Sequence, residues 1–380
     1  YSTLLYPTLP YPTLPMSPKS YWFYWCLVLT FLAAAASVTA VRSASDPGRL
    51  LLTVAYCPTY FSGAGAVVEV DLNSGQWHIA HRFSWPSEVF GCPALYDPSV
   101  HTDAQGHLFL DFLDAFGFVT ELDLATGTVI GEYTPHPSDD DDIFDGFINF
   151  VDMPEPGDSS NATVLRGLTP HVEPKNHPYC SDGCLAYEQM NARGEIRNVT
   201  DLPFKETSDD AALYVPASGS TSARYYTMVG YDLRDPPCGP SRASECLLSM
   251  DADTGEIIST TFSNYTVYKF ARAPDAENTV LTWMYGFERE CRHNYAFAKL
   301  DLSTGKPTLQ ACIPPSTVVD FDEWIADFSL DNSLLATASG DSEGDPSQLI
   351  VFDTSDGSVH LQTDLRGLGL ALGSRGQLVF

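Results

Sequence analysis

The 380-residue chain is short of positive charge: 20 Lys and Arg stand against 49 Asp and Glu, a formal net charge of −29. A surface that acidic repels phosphate backbones, which excludes nucleic acid as a natural partner. Anionic membrane surfaces are disfavoured for the same reason. Basic proteins, cations and neutral glycans remain compatible, and the plain consequence is solubility in an extracellular medium. Long apolar runs are also missing beyond residue 41, so no later segment is suited to crossing a bilayer. Helical periodicity is absent too. Apolar residues alternate with period two, and Gly, Asn and Ser turns return roughly every dozen residues, a pattern that excludes helical repeats.

The N-terminal region reads as processing signals. Residues 1–15, with the doubled YPTLPYPTLP, are expected to be a translated leader ahead of Met16. Residues 16–40 have the parts of a secretory signal: Lys19 for the positive end, the apolar stretch Tyr21–Ala36, and Val38-Thr39-Ala40 as a small-x-small cleavage site. A retained signal-anchor helix is the alternative, since Tyr21–Val41 is about long enough to span a bilayer. The alanine-rich end favours cleavage, which leaves 41–380 as one domain.

Cysteines and sequons point to the same compartment. Cys26 leaves with the signal, and the remaining eight form an even set: Cys57, Cys92, Cys180, Cys184, Cys238, Cys246, Cys291 and Cys312. Neighbouring couples along the chain would give 57–92, 180–184, 238–246 and 291–312, although sequence does not choose among connectivities. Asn161, Asn198 and Asn264 each begin an Asn-x-Thr acceptor for N-glycosylation. A secreted, disulfide-braced glycoprotein follows as the expectation.

One short stretch keeps returning. DLNSG fills 71–75, DLATG 123–127, DADTG 251–255, DLSTG 301–305 and DTSDG 353–357, with a frayed copy, MNARG, at 190–194. The Asp carboxylate suits a turn that it caps through a backbone N–H two residues on. The Gly suits the positive-φ corner of a three- to five-residue hairpin. β-Formers flank each copy, as in AVVEV before 71 and WHIAHRF after it, so each reads as a hairpin tip. Six such tips at a period of about 50 residues, with room for four short strands each, spell the blades of an all-β propeller of four-stranded antiparallel sheets.

FSLDNSLLATASGD followed by LIVFD resembles a WD-repeat blade, with Phe352-Asp353 in place of Trp-Asp. The D-x-x-[ST]-G hairpins are similar to the quinoprotein-like propeller repeat. The resemblance covers about Arg49 to the C-terminus and implies a fold, not an activity. Quinoprotein repeats that dock pyrroloquinoline quinone place Trp about four residues after the Gly; this chain has Ala80, Gly131, Ser259, Leu309 and Leu361 near that place. No cofactor is carried over. Six blades are counted, with seven as the alternative. The last strands, GLGLALGS and GQLVF, either close the ring against N-terminal strands starting at Arg49–Tyr56 or form half of a seventh blade.

Several residues could carry chemistry. Gly340-Asp-Ser-Glu-Gly344 matches a nucleophile elbow, but that motif needs a strand-to-helix turn, and here it falls between two strands of one blade. Ser342 is therefore read as a loop residue. His171, His177, Cys180 and Cys184 include zinc-ligand types, yet the spacing lacks the tight pairs of tetrahedral sites, and exported cysteines pair with each other. Asp139, Asp140, Asp141 and Asp142, with Asp145, concentrate charge between blades 2 and 3; calcium would relieve their repulsion through oxygen ligands, without any EF-hand spacing. His101 and His107, with Asp111 and Asp114, offer a base and an orienter. The spacing matches no catalytic signature, however, and solvent-facing turn histidines are the expectation.

The expectation is a secreted monomeric scaffold that binds a protein or glycan ligand, with no nucleic acid or membrane partner once the signal is cleaved. The alternative is a lactonase-like hydrolase with a divalent cation in the central channel, as the gluconolactonase-type propellers would imply.

Overall fold

The β-formers around each tip are extended and paired in a computed structural model. It describes residues 36–39, 48–59, 62–84, 98–102, 107–112, 119–123, 125–133, 149–154, 163–171, 184–191, 193, 195–204, 206–230, 245–271, 278–314, 321–329, 331–340 and 346–368. Six antiparallel sheets each take four consecutive strands. Blade 1 holds β1 (Ala36–Thr39), β2 (Arg49–Thr59), β3 (Ser62–Asp71) and β4 (Trp77–Ser84). Blade 2 holds β5 (Pro98–Thr102), β6 (His107–Phe112), β7 (Val119–Asp123) and β8 (Thr128–Tyr133). Blade 3 runs through β9 (Asn149–Pro154), β10 (Thr163–His171), β11 (Cys184–Asn191) and β12 (Ile196–Asp201). Blade 4 runs through β13 (Glu206–Val215), β14 (Arg224–Gly230), β15 (Glu245–Asp251) and β16 (Ile257–Ser263). Blade 5 comprises β17 (Thr266–Phe270), β18 (Thr279–Tyr285), β19 (Tyr295–Asp301) and β20 (Lys306–Cys312). Blade 6 comprises β21 (Phe321–Phe328), β22 (Leu334–Gly340), β23 (Pro346–Asp353) and β24 (Val359–Asp364).

The first strand of each sheet lines the inside. β5 lies by β9, β9 by β13, β13 by β17, β17 by β21, and β21 by β1, which makes a ring. The count is six. Blade 6 locks to blade 1 at the outside as well: the Thr363 hydroxyl donates to the Gly75 carbonyl at 2.7 Å, and Trp77 Nε1 donates to the Asp364 carbonyl at 3.2 Å. β1 lies within the 16–40 segment expected to be a signal, and it pairs with β2 from Ala36 opposite Val54 to Thr39 opposite Leu51. The C-terminal stretches GLGLALGS and GQLVF lie outside the described residues beyond Leu368.

The core lies between blades, because each sheet buries both faces against its neighbours. Trp283, Phe297, Phe328 and Phe352 are fully buried across blades 5 and 6. Tyr187, Tyr225 and Leu248 do the same across blades 3 and 4. Alternation in the strands puts these side chains inward while their neighbours meet solvent or the next sheet.

Each outermost strand carries a one-residue bulge, at Ala80, Ile130, Val199, Ile258, Gln310 and His360. A bulge twists an edge strand and discourages pairing with another edge. It also accounts for two exposed apolar side chains, Ile130 and Ile258, which are the unpaired residues of their strands.

The recurring pentapeptides are the β3–β4, β7–β8, β15–β16, β19–β20 and β23–β24 tips. In DLNSG the Asp71 carboxylate accepts the N–H of Asn73 at 2.7 Å and of Ser74 at 3.2 Å. Asp251 and Asp301 repeat this pair of bonds, and Asp123 and Asp353 accept the first of them. All five glycines have positive φ, between 64° and 74°. Each also donates its N–H to the carbonyl of its own Asp. In the frayed copy the turn is shifted by one residue from the expected MNARG register. Asn191, not Met190, is the cap: its Oδ1 accepts the N–H of Arg193 at 2.9 Å and of Glu195 at 3.1 Å. The loop closes between Asn191 N–H and the Glu195 carbonyl, one residue shorter than Asp71 to Gln76.

Candidate functional site

A titratable cluster lies at the seam of blades 2 and 3, where β5 and β9, the first strands of their sheets, run side by side. His101, late in β5, puts Nε2 2.5 Å from Asp152 Oδ1 on β9, and both side chains are about a quarter exposed, at 21% and 24%. One strand outward, His107 Nδ1 lies 3.2 Å from Glu121 Oε1, and the Tyr133 hydroxyl donates to Glu121 Oε2 at 3.1 Å. Strand register produces this grouping: His101 faces Phe109, Phe109 faces Glu121, and Glu121 faces Gly131. The Phe109 and Phe150 rings sit 6.1 and 6.0 Å from the His101 imidazole and wall it in. Burial pushes the Asp152 carboxyl up, but the hydrogen bond and charge of His101, with the charge of His107, hold it below its ordinary 3.8. The pair has the parts of a base and its orienter. It is also a staple between two blades.

His101 and His107 sit in strands β5 and β6 and are part-buried, not turned out to solvent from the loop between them as expected. Asp152 and Glu121 partner the histidines; Asp114 lies outside the described residues, and of Asp111 only the backbone in β6 is described. Sequence offered a signal for each, namely a lone acid in an apolar strand, as in NFVDMP and FVTEL, where burial demands a partner. Arg166 gives the same signal in TVLRGL. It is 2% exposed, and its guanidinium donates to the Ala252 carbonyl on the blade 4 tip, where the Tyr187 hydroxyl also donates at 3.0 Å. Asp253 Oδ1 is 3.7 Å away. Burial pushes the Tyr187 phenol well up, so it stays a hydrogen-bond donor.

Asp139, Asp140, Asp141, Asp142 and Asp145 fall between β8 and β9, outside the described residues, as do His177, Cys180 and residues 341–345 with Ser342. His171 and Cys184 are register partners at the facing ends of β10 and β11. Gly340 ends β22 and β23 follows in the same sheet, so the G-x-S-x-G stretch joins two strands. Among the described residues there is no group of three His, Cys, Asp or Glu placed to hold a metal ion, and no helix long and apolar enough to cross a membrane. Cys291 and Cys312 form a disulfide with Cα atoms 5.4 Å apart. Cys246 is also disulfide-bonded, to a cysteine whose side chain is outside the described residues. Cys57, Cys92, Cys180, Cys184 and Cys238 have no described side chain. Asn198 and Asn264 are exposed, and Asn161 lies outside the described residues.

The tips collect carboxylates. All sheets share one strand order, so the third-to-fourth hairpins emerge on one face of the ring. Backbone N–H groups of Asn73 and Ser74 hold the Asp71 carboxyl below its ordinary value, and the Ser303 hydroxyl and N–H do so for Asp301. Asp251 is pushed up by burial but lowered overall by Ser222, Thr254 and Asp253.

No family model and no curated protein matches the chain. Solved structures similar to it include an oligogalacturonate lyase in complex with manganese, 14% identical over 87% of this chain and 84% of that one, with a TM-score of 0.38. The Dos1 propeller is 12% identical over 81% and 66%, at 0.39, and a glucose dehydrogenase is 10% identical over 65% and 76%, at 0.38. The fold assignment stands on the sheet topology, and these likenesses transfer no chemistry.

Proposed function

We propose that the protein is an exported propeller that binds a ligand through the tip face, and that the ligand is a cationic protein surface. The observation that carries this is the repeated delivery of an Asp, capped by its own turn, to one end of the ring, with the Asp71, Asp251 and Asp301 carboxyls held below their ordinary value. Capping fixes these carboxylates without neutralising them, so a field of one sign is presented by a rigid frame. The net charge of −29 supports the same polarity. The bonded Cys291–Cys312 pair and the three sequons support export.

The seam pair His101–Asp152 is read as architectural, since its two members belong to neighbouring blades and hold them together. The test is biolayer interferometry of the full secreted chain against immobilised basic proteins and neutral oligosaccharides, across salt concentrations. Saturable binding to a basic protein, weakening steeply with salt, supports the proposal. Binding to an oligosaccharide alone, insensitive to salt, overturns the choice of partner. Turnover of a lactone together with a melting temperature that depends on a divalent cation replaces it with the hydrolase reading.

A further inference from the structure

The outer strand of blade 4 ends in an unusual way. Phe262 is 38% exposed on β16, Ser263 is buried at 5%, and Asn264 is exposed. The Phe262 ring is thus on the exposed side of the strand, and the Asn264 amide is exposed two residues on, in the bend that follows the end of β16. Both sit at a fixed corner. The Ser263 hydroxyl donates to the Tyr265 carbonyl at 2.8 Å and accepts the Tyr265 N–H at 3.1 Å. The Tyr265 ring stacks on Phe287 at 4.6 Å, and a Cβ on Gly286 would come within 3.1 Å of the Asn264 carbonyl, so the next blade supports the turn closely. An aromatic side chain left in water on such a rigid corner calls for a cover. The sequence supplies one: Phe262-Ser263-Asn264-Tyr265-Thr266 is a glycosylation acceptor with an aromatic residue two positions before the Asn. The other two acceptors have Ser159 and Ile196 at that position.

We propose that Asn264 carries an N-linked glycan whose first sugar lies over the Phe262 ring, a reading that rests on the export proposed above. In the linking step the Asn264 amide nitrogen attacks C1 of a lipid-diphosphate-linked oligosaccharide. The N–C1 bond forms, the C1–O bond to diphosphate breaks, and one amide proton is lost as the lipid diphosphate departs. The apolar C–H face of a pyranose then covers apolar ring area that the fold leaves in water. The glycan at this corner acts as part of the fold and not only as a solubilising group.

The full chain secreted from a eukaryotic host tests this by site-resolved glycopeptide mass spectrometry and thermal melts of Asn264→Gln, Phe262→Ser and the double variant, with Phe262→Leu to cover a folding failure. Asn264 should be occupied, and Asn264→Gln should lower the melting temperature by about 2 °C in the parent but hardly at all beside Phe262→Ser or Phe262→Leu. A bare Asn264 with Asn161 or Asn198 occupied overturns this proposal alone. Occupancy with strictly additive melts overturns the stacking. A chain that stays in the cell with all three sites bare overturns the export reading and this proposal with it.

Discussion

Replacing tip glycines by alanine separates two costs that the structure combines. Gly127 has φ +66°, and a Cβ there would lie 2.2 Å from the His81 Cβ on β4 of the preceding blade. That atom is fixed to its backbone, so β4 or the tip must move. Gly305 has φ +64°, with a Cβ 2.5 Å from Thr261 Cγ2, the end of a side chain that has somewhat more freedom. Gly219, in the turn between Ser218 and Thr221, has φ +58° and nothing within 4 Å of its Cβ position. Alanine at 219 therefore meets only the left-handed backbone strain, roughly 1–2 kcal/mol. Alanine at 127 meets that strain plus overpacking of about 1–3 kcal/mol. At about 2 °C per kcal/mol for a domain this large, Gly219→Ala should melt about 3 °C below the parent. Gly127→Ala should fall about 4–10 °C, with Gly305→Ala between them. Differential scanning calorimetry of the three variants decides the order. Equal losses at all three would show that the tips do not rest on the preceding blade. No loss at any would remove the left-handed corners and the hairpin assignment with them.

Three further outcomes are expected. Arg166→Met should lower the urea midpoint by an amount equivalent to about 2–3 kcal/mol, because the Ala252 carbonyl loses a charged donor inside the blade 3–4 seam; an unchanged midpoint would mean that the clamp is idle. Asp251→Ala should cost about 1 kcal/mol, by analogy with lost helix caps, since its carboxylate accepts the N–H groups of Asp253 and Thr254 and the Thr254 hydroxyl; chemical denaturation measures it, and a neutral result would discount the capping. The Asp152 carboxyl is depressed in the folded state, so the stability it contributes is present above its ordinary 3.8 and is lost as pH falls through the lower folded value. The gap between parent and Asp152→Asn melts should accordingly be widest near neutral pH and close under acid, and a gap that widens with acid would contradict the sign.

The architecture was legible because it rests on local, repeated chemistry. A capped turn with a left-handed Gly is written in five adjacent letters, and the period of the copies counts six tips, while the choice of six blades over seven came from the contact of β21 with β1. The shifted turn at Asn191 shows the limit of that reading: an amide takes over the role of the carboxylate and the loop loses one residue, so a fixed five-letter window lands on Met190. The seam pairs were less legible because their partners come from different blades. His101 and Asp152 are 51 positions apart, and only the ring brings β5 beside β9. Acids near in sequence, such as Asp111, were the natural guess, and sequence held no positional pointer to a partner on the next blade. The signal for Asp152 was energetic and not positional: an acid among Phe150, Val151 and Met153 needs an opposite charge wherever the fold places it.

A second repeat lies hidden behind the first. Four of the five tip glycines would strike a side chain of the preceding blade: His81 for Gly127, Thr200 for Gly255, Thr261 for Gly305 and, at the ring closure, Thr363 beside Leu361 for Gly75. Each of these four stands six residues after the glycine of its own blade, namely Gly75, Gly194, Gly255 and Gly357. One tip therefore encodes two surfaces. Its glycine is the small residue that the preceding blade requires, and its sixth following residue is the bearing on which the next tip rests. Thr fills three of the four bearings, and at the ring closure it does more than fit, since Thr363 donates to the Gly75 carbonyl. The bulge residue works on the same contact in blade 5, where the Gln310 amide donates to the Thr354 carbonyl of the blade 6 tip at 2.6 Å. Closure of the ring thus uses the Thr contact of the 3–4 and 4–5 seams, whereas at the 5–6 seam a Cβ on Gly357 would meet the Cys312 backbone carbonyl at 2.3 Å. Blade 6 meets blade 1 through a Thr bearing against a left-handed glycine, as blade 3 meets blade 4 and blade 4 meets blade 5, so the ring closes on a joint that it already uses elsewhere.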